Sequence, residues 1–337
     1  VAVAGSTHRL VAYTPNWQPC PADSITAAYT HIMVAFATTY PHAGQTGGNS
    51  ATCTVGTHVK PCGTDNGHIA KWHSQGKKVI LSIGGWAMNG HWNNCFGKEQ
   101  SLADQLATIV DNQGYDGVDI DFEQDNTGGN FLSTLTNKLK AAMPQKEVTH
   151  APMDRHLTAG HAYTQQLKLC ASSIDFIMVQ YYNGITHPNT GGFASAQSHY
   201  DHLLNNVFGG DATKLVFGFC NGGCGGFNAD GAQAVTVMQQ LHAVHPNNGG
   251  AMFWATNHDV AQGGAFSRAI HFHLAPLRGT GPTPVTQAPR TASPVTAAPV
   301  TASPVTANPV TASPVTANPV TASPVTASPV TSSPVTA

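Results

Sequence analysis

Charge is what this chain has least of. Asp, Glu, Lys and Arg make up 9% of its 337 residues, and 17 acids against 15 Lys and Arg leave a net charge of -2. No cluster of Lys and Arg marks a phosphate-binding face, so no nucleic-acid partner is expected. No apolar run reaches the roughly eighteen residues of a membrane span, so none is expected. The opening Val-Ala-Val-Ala-Gly-Ser lacks the basic start and long apolar stretch of a signal peptide, and is compatible with a mature end after signal removal. Cysteine is sparse too. Seven residues suit a secreted chain with up to three disulfides and at least one sulfur left over. Cys53 and Cys62 flank a short loop, and Cys220 and Cys224 flank Asn-Gly-Gly; both pairs are plausible staples, although spacing alone does not fix pairing. No further ligand pair accompanies Cys220 and Cys224 at zinc spacing, and His271-x-His273 reads as two of many scattered histidines. No metal and no cofactor is therefore expected.

Composition divides the chain near Arg278. From Pro284 to Pro334 a proline recurs every fifth residue in Pro-Val-Thr-Ala-(Ser/Asn/Ala), with no aromatic residue and a single charge, Arg290. Such a segment has too little apolar surface to form a core, so residues 279–337 are expected to be an extended, polyproline-like, disordered tail. Its Thr and Ser density suits an O-glycosylated stalk.

Residues 1–278 are different. Eight short apolar runs recur along them: Leu10–Tyr13, Ile32–Phe36, Val79–Ile83, Val118–Phe122, Val148–Ala151, Phe176–Tyr181, Leu215–Phe219 and Met252–Ala255. Helical spacings lie between most of them, as in Leu102-Leu106-Ile109-Val110 and Phe131-Leu135-Leu139. Eight strands alternating with helices predict an α/β fold, a (β/α)8 TIM barrel, with functional residues at the carboxyl ends of the strands. The helix between the first two strands is poorly marked.

The scarce charge is concentrated in one place. Asp116-Gly-Val-Asp119-Ile-Asp121-Phe-Glu123 holds four of the 17 acids in eight positions. Asp119, Asp121 and Glu123 alternate with Val118, Ile120 and Phe122, so on a strand the three carboxyls share one face. Like charges in such a row are unfavourable for a purely structural strand. Burial and repulsion raise proton affinity, which is how a carboxylic acid becomes a general acid near neutral pH. A solvated acidic edge or a calcium site is the alternative, and the flanking β-branched and aromatic residues argue against it.

The stretch resembles the Asp-x-x-Asp-x-Asp-x-Glu signature of glycoside hydrolase family 18, the chitinases. Ser82-Ile-Gly84-Gly85-Trp86, Met178-Val-Gln180-Tyr181-Tyr182-Asn183 and Gly250-Ala-Met-Phe-Trp254 are similar to that family's third, sixth and eighth strands, in the same order.

That resemblance implies a secreted, endo-acting chitinase, located outside the cell or in a cell wall. It would be a monomer that acts on chitin or chito-oligosaccharides. Glu123 would be the acid/base, Asp121 would orient the substrate's acetamido group, and Asp119 would share a proton with Asp121. Tyr182 would hold the acetamido oxygen. Trp254 would floor the sugar site, with Met178, Gln180, Asn183 and Trp86 beside it. Many relatives carry Asp where Asn183 stands. Trp17 and Trp92 read equally as sugar platforms or packing residues, and Asp116, of opposite strand parity, as a structural acid. Ser82, Gly84 and Gly85 would permit tight packing beneath the site. The rival readings are an endo-β-N-acetylglucosaminidase acting on N-glycans and a barrel lectin that binds chitin. The short stretch from Phe219 to Gly250 leaves no room for the α+β insertion of deep-cleft relatives, which implies an open cleft.

Overall fold

The computed structural model describes residues 8–63, 67–182, 184–186 and 193–278. Asn183 and the repeat tail lie outside the described residues. Eight parallel strands close into a barrel: β1 (Arg9–Pro15), β2 (His31–Ala37), β3 (Lys78–Gly84), β4 (Gly117–Asp121), β5 (Glu147–His150), β6 (Phe176–Gln180), β7 (Leu215–Cys220) and β8 (Gly250–Trp254). Strand β1 closes the ring by pairing with β8, Ala12 opposite Phe253. All eight apolar runs of the sequence are strands, which establishes the expected TIM barrel.

Helices cover the outside: α1 (Asp23–Thr26), α2 (His68–Ser74), α3 (Glu99–Gln113), α4 (Phe131–Ala142), α5 (Ala162–Cys170), α6 (Phe193–Asn206), α7 (Gly231–Val244), α8 (Thr256–Ala261) and α9 (Ala265–Leu274). The poorly marked first helix is a single turn. Helix α4 shows why its neighbours form. Phe131, Leu132, Leu135 and Leu139 fall at helical spacing and are buried against the barrel, while Asn137 is exposed. Helix α3 stops at Gly114, whose left-handed φ of 78° suits glycine. At the start of α7, Asp230 and Gln233 form a reciprocal capping box.

Strand alternation makes two cores. Inward residues such as Val11, Met33, Ile80, Phe176, Val216 and Met252 fill the barrel interior. Outward residues such as Val118, Ile120 and Phe122 join Trp92, Phe131 and Leu135 in the layer under the helices. Trp92 is fully buried and packs on Phe122 at 5.2 Å between ring centroids. It is therefore a core residue and not a sugar platform. Truncating it to Ala would cost about 3–5 kcal/mol.

Three disulfides are present, and one expected pairing is corrected. Cys220–Cys224 forms as a short staple. Cys53 instead pairs with Cys95, and Cys62 with Cys20. The excursion between β2 and α2 lies between its neighbours, so each of its cysteines faces an adjacent connection rather than the other. The connections after β1, β2 and β3 are thereby stitched together. Cys170 is the remaining thiol and is buried.

Candidate active site

The carboxyl end of the barrel opens into a cleft of about 560 Å³. Strand β4 sets its floor. Asp119 lies in register between Ser82 of β3 and Thr149 of β5. Its carboxylate accepts hydrogen bonds from the Ser82 hydroxyl at 2.7 Å, the Thr149 hydroxyl at 2.8 Å and the Tyr13 hydroxyl across the barrel at 2.6 Å. Asp119 is fully buried, and burial raises its proton affinity against the pull of these three donors. Ser82 thus does more than allow packing.

One step up the strand, Asp121 is buried opposite Gly84, where a Cβ would stand 2.0 Å from the Asp121 carbonyl oxygen. Burial, then the charges of Glu123 and Asp119, push its proton affinity well above the usual carboxylate range. Glu123 is half-buried and also raised by burial, while bonds from Gln180 and Asp121 and the charge of Arg155 act in the opposite direction. The Gln180 amide nitrogen donates to Asp121 Oδ1 at 3.0 Å and Glu123 Oε1 at 2.9 Å. The shared Gln180 nitrogen places Asp121 and Glu123 side by side, and two neighbouring acids ionise as a pair. The resemblance implied proton sharing one step lower, between Asp119 and Asp121. Three hydroxyl donors favour the Asp119 anion while burial opposes it, and Asp121 has an acidic neighbour on each side.

The backbone behind Glu123 is fixed from the β3–α3 connection. Asn89 donates to the Glu123 carbonyl at 3.4 Å, and the Gln124 side chain accepts from Gly90 N–H at 2.8 Å and donates to Asn93 at 2.9 Å.

Aromatic walls rise from this floor. Trp254 is half-buried at the end of β8 and stacks on Phe36 at 5.8 Å and 12°. Tyr13 and Trp17 stand 5.9 and 6.4 Å from Trp254, and Trp86 is exposed at the rim. Tyr182 lines the same space, and its hydroxyl has no hydrogen-bond partner among the described residues. The site residues expected from sequence thus converge, with two exceptions. Asn183 lies outside the described residues. Met178 shares the parity of Gln180 but sits two residues lower, fully buried in the barrel interior, so it does not reach the cleft. Tyr181, of opposite parity, packs on Phe217 at 4.2 Å. Cys220 and Cys224 are bonded to each other and unavailable as metal ligands.

Sequence reasoning missed Tyr13, Phe36, Tyr40, His42, Met153 and Arg155 in the lining. A signal existed: Tyr13, Phe36 and Met153 all stand at or just past the ends of predicted strands.

The family model for glycosyl hydrolases family 18 matches residues 9–221, the stretch from β1 through the acids of β4 to the end of β7. The chain belongs to family 18 of the glycosyl hydrolases. It is 24% identical over 255 residues to chitinase 1 of Tulipa saxatilis subsp. bakeri, covering 70% of this chain and 75% of that one. Against a chitinase of Enterococcus faecalis it is 31% identical over 123 residues, 34% of this chain and only 35% of the relative. Among solved structures, a family 18 chitinase from Pseudoalteromonas aurantia superposes with a TM-score of 0.65 at 22% identity, covering 79% of this chain and all of that one. A fungal endo-β-N-acetylglucosaminidase of the family superposes at 0.61 with 20% identity, covering 80% of this chain and 98% of that one. Likeness at that identity carries the barrel alone, so the substrate has to be argued from the cleft.

Proposed function

We propose that this family 18 protein is a secreted, endo-acting chitinase that cleaves β-1,4 links between N-acetylglucosamine units with retention of configuration. The observation that carries the reading is the pair of neighbouring acids, Asp121 and Glu123, bridged by the Gln180 nitrogen under an aromatic cleft. Glu123 is the higher of the two and the less buried, so it donates to the leaving oxygen. A conventional retaining glycosidase needs a second carboxylate about 5–5.5 Å across the scissile bond. Here the only acids among the described lining residues are Asp121 and Glu123, neighbours at the carboxyl end of β4 that share the Gln180 nitrogen. The nucleophile is then supplied by the substrate. The acetamido oxygen attacks the anomeric carbon, the link to the leaving sugar breaks, and Glu123 gives that sugar its proton. Asp121 faces the acetamido N–H, Tyr182 offers its hydroxyl to the acetamido oxygen, and water activated by Glu123 opens the bicyclic intermediate.

Trp254 and its aromatic neighbours provide faces for the apolar sides of sugar rings. Between β7 and β8 the chain runs through a loop and the single long helix α7, so this connection adds no domain over the cleft. An open cleft admits a polymer mid-chain, which supports endo action. Three disulfides support an extracellular location.

Product analysis on chito-oligosaccharides, with a high-mannose glycopeptide in parallel, tests the substrate. Cleavage of the oligosaccharides to a spread of smaller products is expected. Cleavage of the glycopeptide alone would replace the reading with an endo-β-N-acetylglucosaminidase, and binding without cleavage of either would replace it with a lectin. Fully deacetylated chitosan lacks the internal nucleophile and should resist. Its rapid hydrolysis would refute substrate assistance.

A further inference from the structure

The β5–α5 connection carries a fully buried carboxylate that this chemistry does not use. Every hydrogen bond to Asp154 comes from a donor. The Ile185 N–H lies 3.2 and 3.0 Å from its two oxygens, and Thr186 brings its N–H to Oδ2 at 2.9 Å and its hydroxyl at 2.7 Å. All four contacts come from one short stretch, residues 184–186, that follows Tyr182 in the next connection around the rim. Gly184 leaves space for the carboxylate, since a Cβ there would stand 1.5 Å from Asp154 Oδ1. The sequence neighbours of Asp154, Met153 and Arg155, both line the cleft. Just below, Gln180 N–H donates to the Pro152 carbonyl at 2.9 Å, so the two connections are already joined at their roots.

The location of this lock gives it a consequence. The Tyr182 hydroxyl has no partner of its own among the described residues. Its position is therefore set by ring packing and by the backbone on either side. Strand β6 holds the preceding side, and Asp154 holds the backbone from three residues after the tyrosine. A buried acid with three donors is difficult to displace, because each donor would be left unpaired away from water.

We propose that Asp154 is a positioning residue for Tyr182, locking the β6–α6 connection onto the β5–α5 connection so that the tyrosine hydroxyl stands where an acetamido oxygen is held. The proposal rests on the role given to Tyr182 above. Misplacing a catalytic contact by about 1 Å costs roughly 10²-fold in rate. The loss should fall on kcat, because the contact strengthens as the acetamido group attacks.

The experiment uses the full chain, chitotetraose as substrate and five variants: D154A, D154N, G184A, Y182F and D154A/Y182F. D154A is expected to lower kcat about 10- to 100-fold with KM within about threefold. D154N keeps one oxygen for the Thr186 donors and should recover most of that loss. G184A presses a methyl group onto the carboxylate and should reproduce the kcat loss from the other side of the lock, which covers the case in which D154A does not fold. The double variant should be no more than about twofold slower than Y182F, because both changes remove the same contact. A slow Y182F whose loss multiplies with that of D154A would overturn the role of Asp154 alone. Parental turnover by Y182F would overturn the role of the tyrosine, and this proposal with it. A D154A protein with lowered Tm but unchanged kcat per folded molecule would reduce Asp154 to a loop anchor.

Discussion

Asp116 and Asp121 lie five residues apart, at opposite ends of one strand, and the protein treats them in opposite ways. At the amino end of the barrel, Asp116 accepts from Val79 N–H at 2.8 Å and His73 at 2.7 Å, with Lys78 at 3.6 Å. Burial opposes ionisation there, yet these partners hold Asp116 below its ordinary range. Glu147 at the same end is half-buried and also held low, helped by His31, Arg9 and Lys78. Among the partners that favour the Glu147 carboxylate, His31 comes first and Arg9 and Lys78 follow. At the carboxyl end, no cation among the described residues is bonded to Asp119 or Asp121, and Arg155 is the cation that acts on Glu123; all three are raised. Acids at one end are held low by their partners, and acids at the other hold their protons more tightly than usual. The difference comes from their partners, since burial acts in the same direction at both ends.

The largest expected break of this comparison is at the carboxyl end. E123Q should lose about 10²–10⁴-fold in turnover on chito-oligosaccharides while keeping their affinity, measured by steady-state kinetics and calorimetric titration. Turnover within tenfold of the parent would show that another group is the acid.

Next in size is the reverse experiment. D116A leaves the Val79 N–H without its carboxylate and should cost about 1–3 kcal/mol in denaturant unfolding. Its kcat/KM should stay within about twofold of the parent, since no lining residue is touched. A large kinetic loss with unchanged stability would erase the distinction between the two ends.

The pH dependence of stability sharpens it further. Asp116 and Glu147 have lowered folded values, so their contribution is present above about pH 4 and is lost as pH falls through those values. Asp121 and Glu123 have raised folded values, so theirs is present below about pH 4 and is lost as pH rises through them. E123Q should therefore melt higher than the parent at pH 8, by roughly a few degrees, with the difference shrinking toward pH 4. The opposite trend in paired melting curves would mean that the folded protein does not raise the proton affinity of Glu123.

The smallest effect concerns the repeats. Cutting after Arg278 should leave Tm and turnover of soluble oligosaccharides almost unchanged, because residues 279–337 offer no acid and no aromatic side chain. A fall in either would show that the repeats pack on the barrel.

Much of this was legible beforehand for a definite reason. Strand identity and side-chain parity are local properties, so the eight runs and the shared face of Asp119, Asp121 and Glu123 could be read from spacing. What could not be read depends on which connections meet. The pairing of Cys53 with Cys95, the burial of Trp92, the depth of Met178 and the reach of Tyr13 to Asp119 all join residues far apart in sequence. Asp154 belongs with them. It stands in no motif, and its meaning comes only from the backbone of residues 184–186.

The pairing of β1 with β8 has one more consequence. Arg9 N–H bonds to the Gly249 carbonyl at 2.9 Å, so the first and last strands of the barrel are neighbours. The ring cannot close until a chain under synthesis has released residue 254, and the seven earlier strands wait with an open edge on each side. The same adjacency makes the order of the strands a cycle that happens to be cut between β8 and β1. A short linker across that cut, with new ends placed in an exposed helix–strand connection, would give a permuted chain with the same barrel.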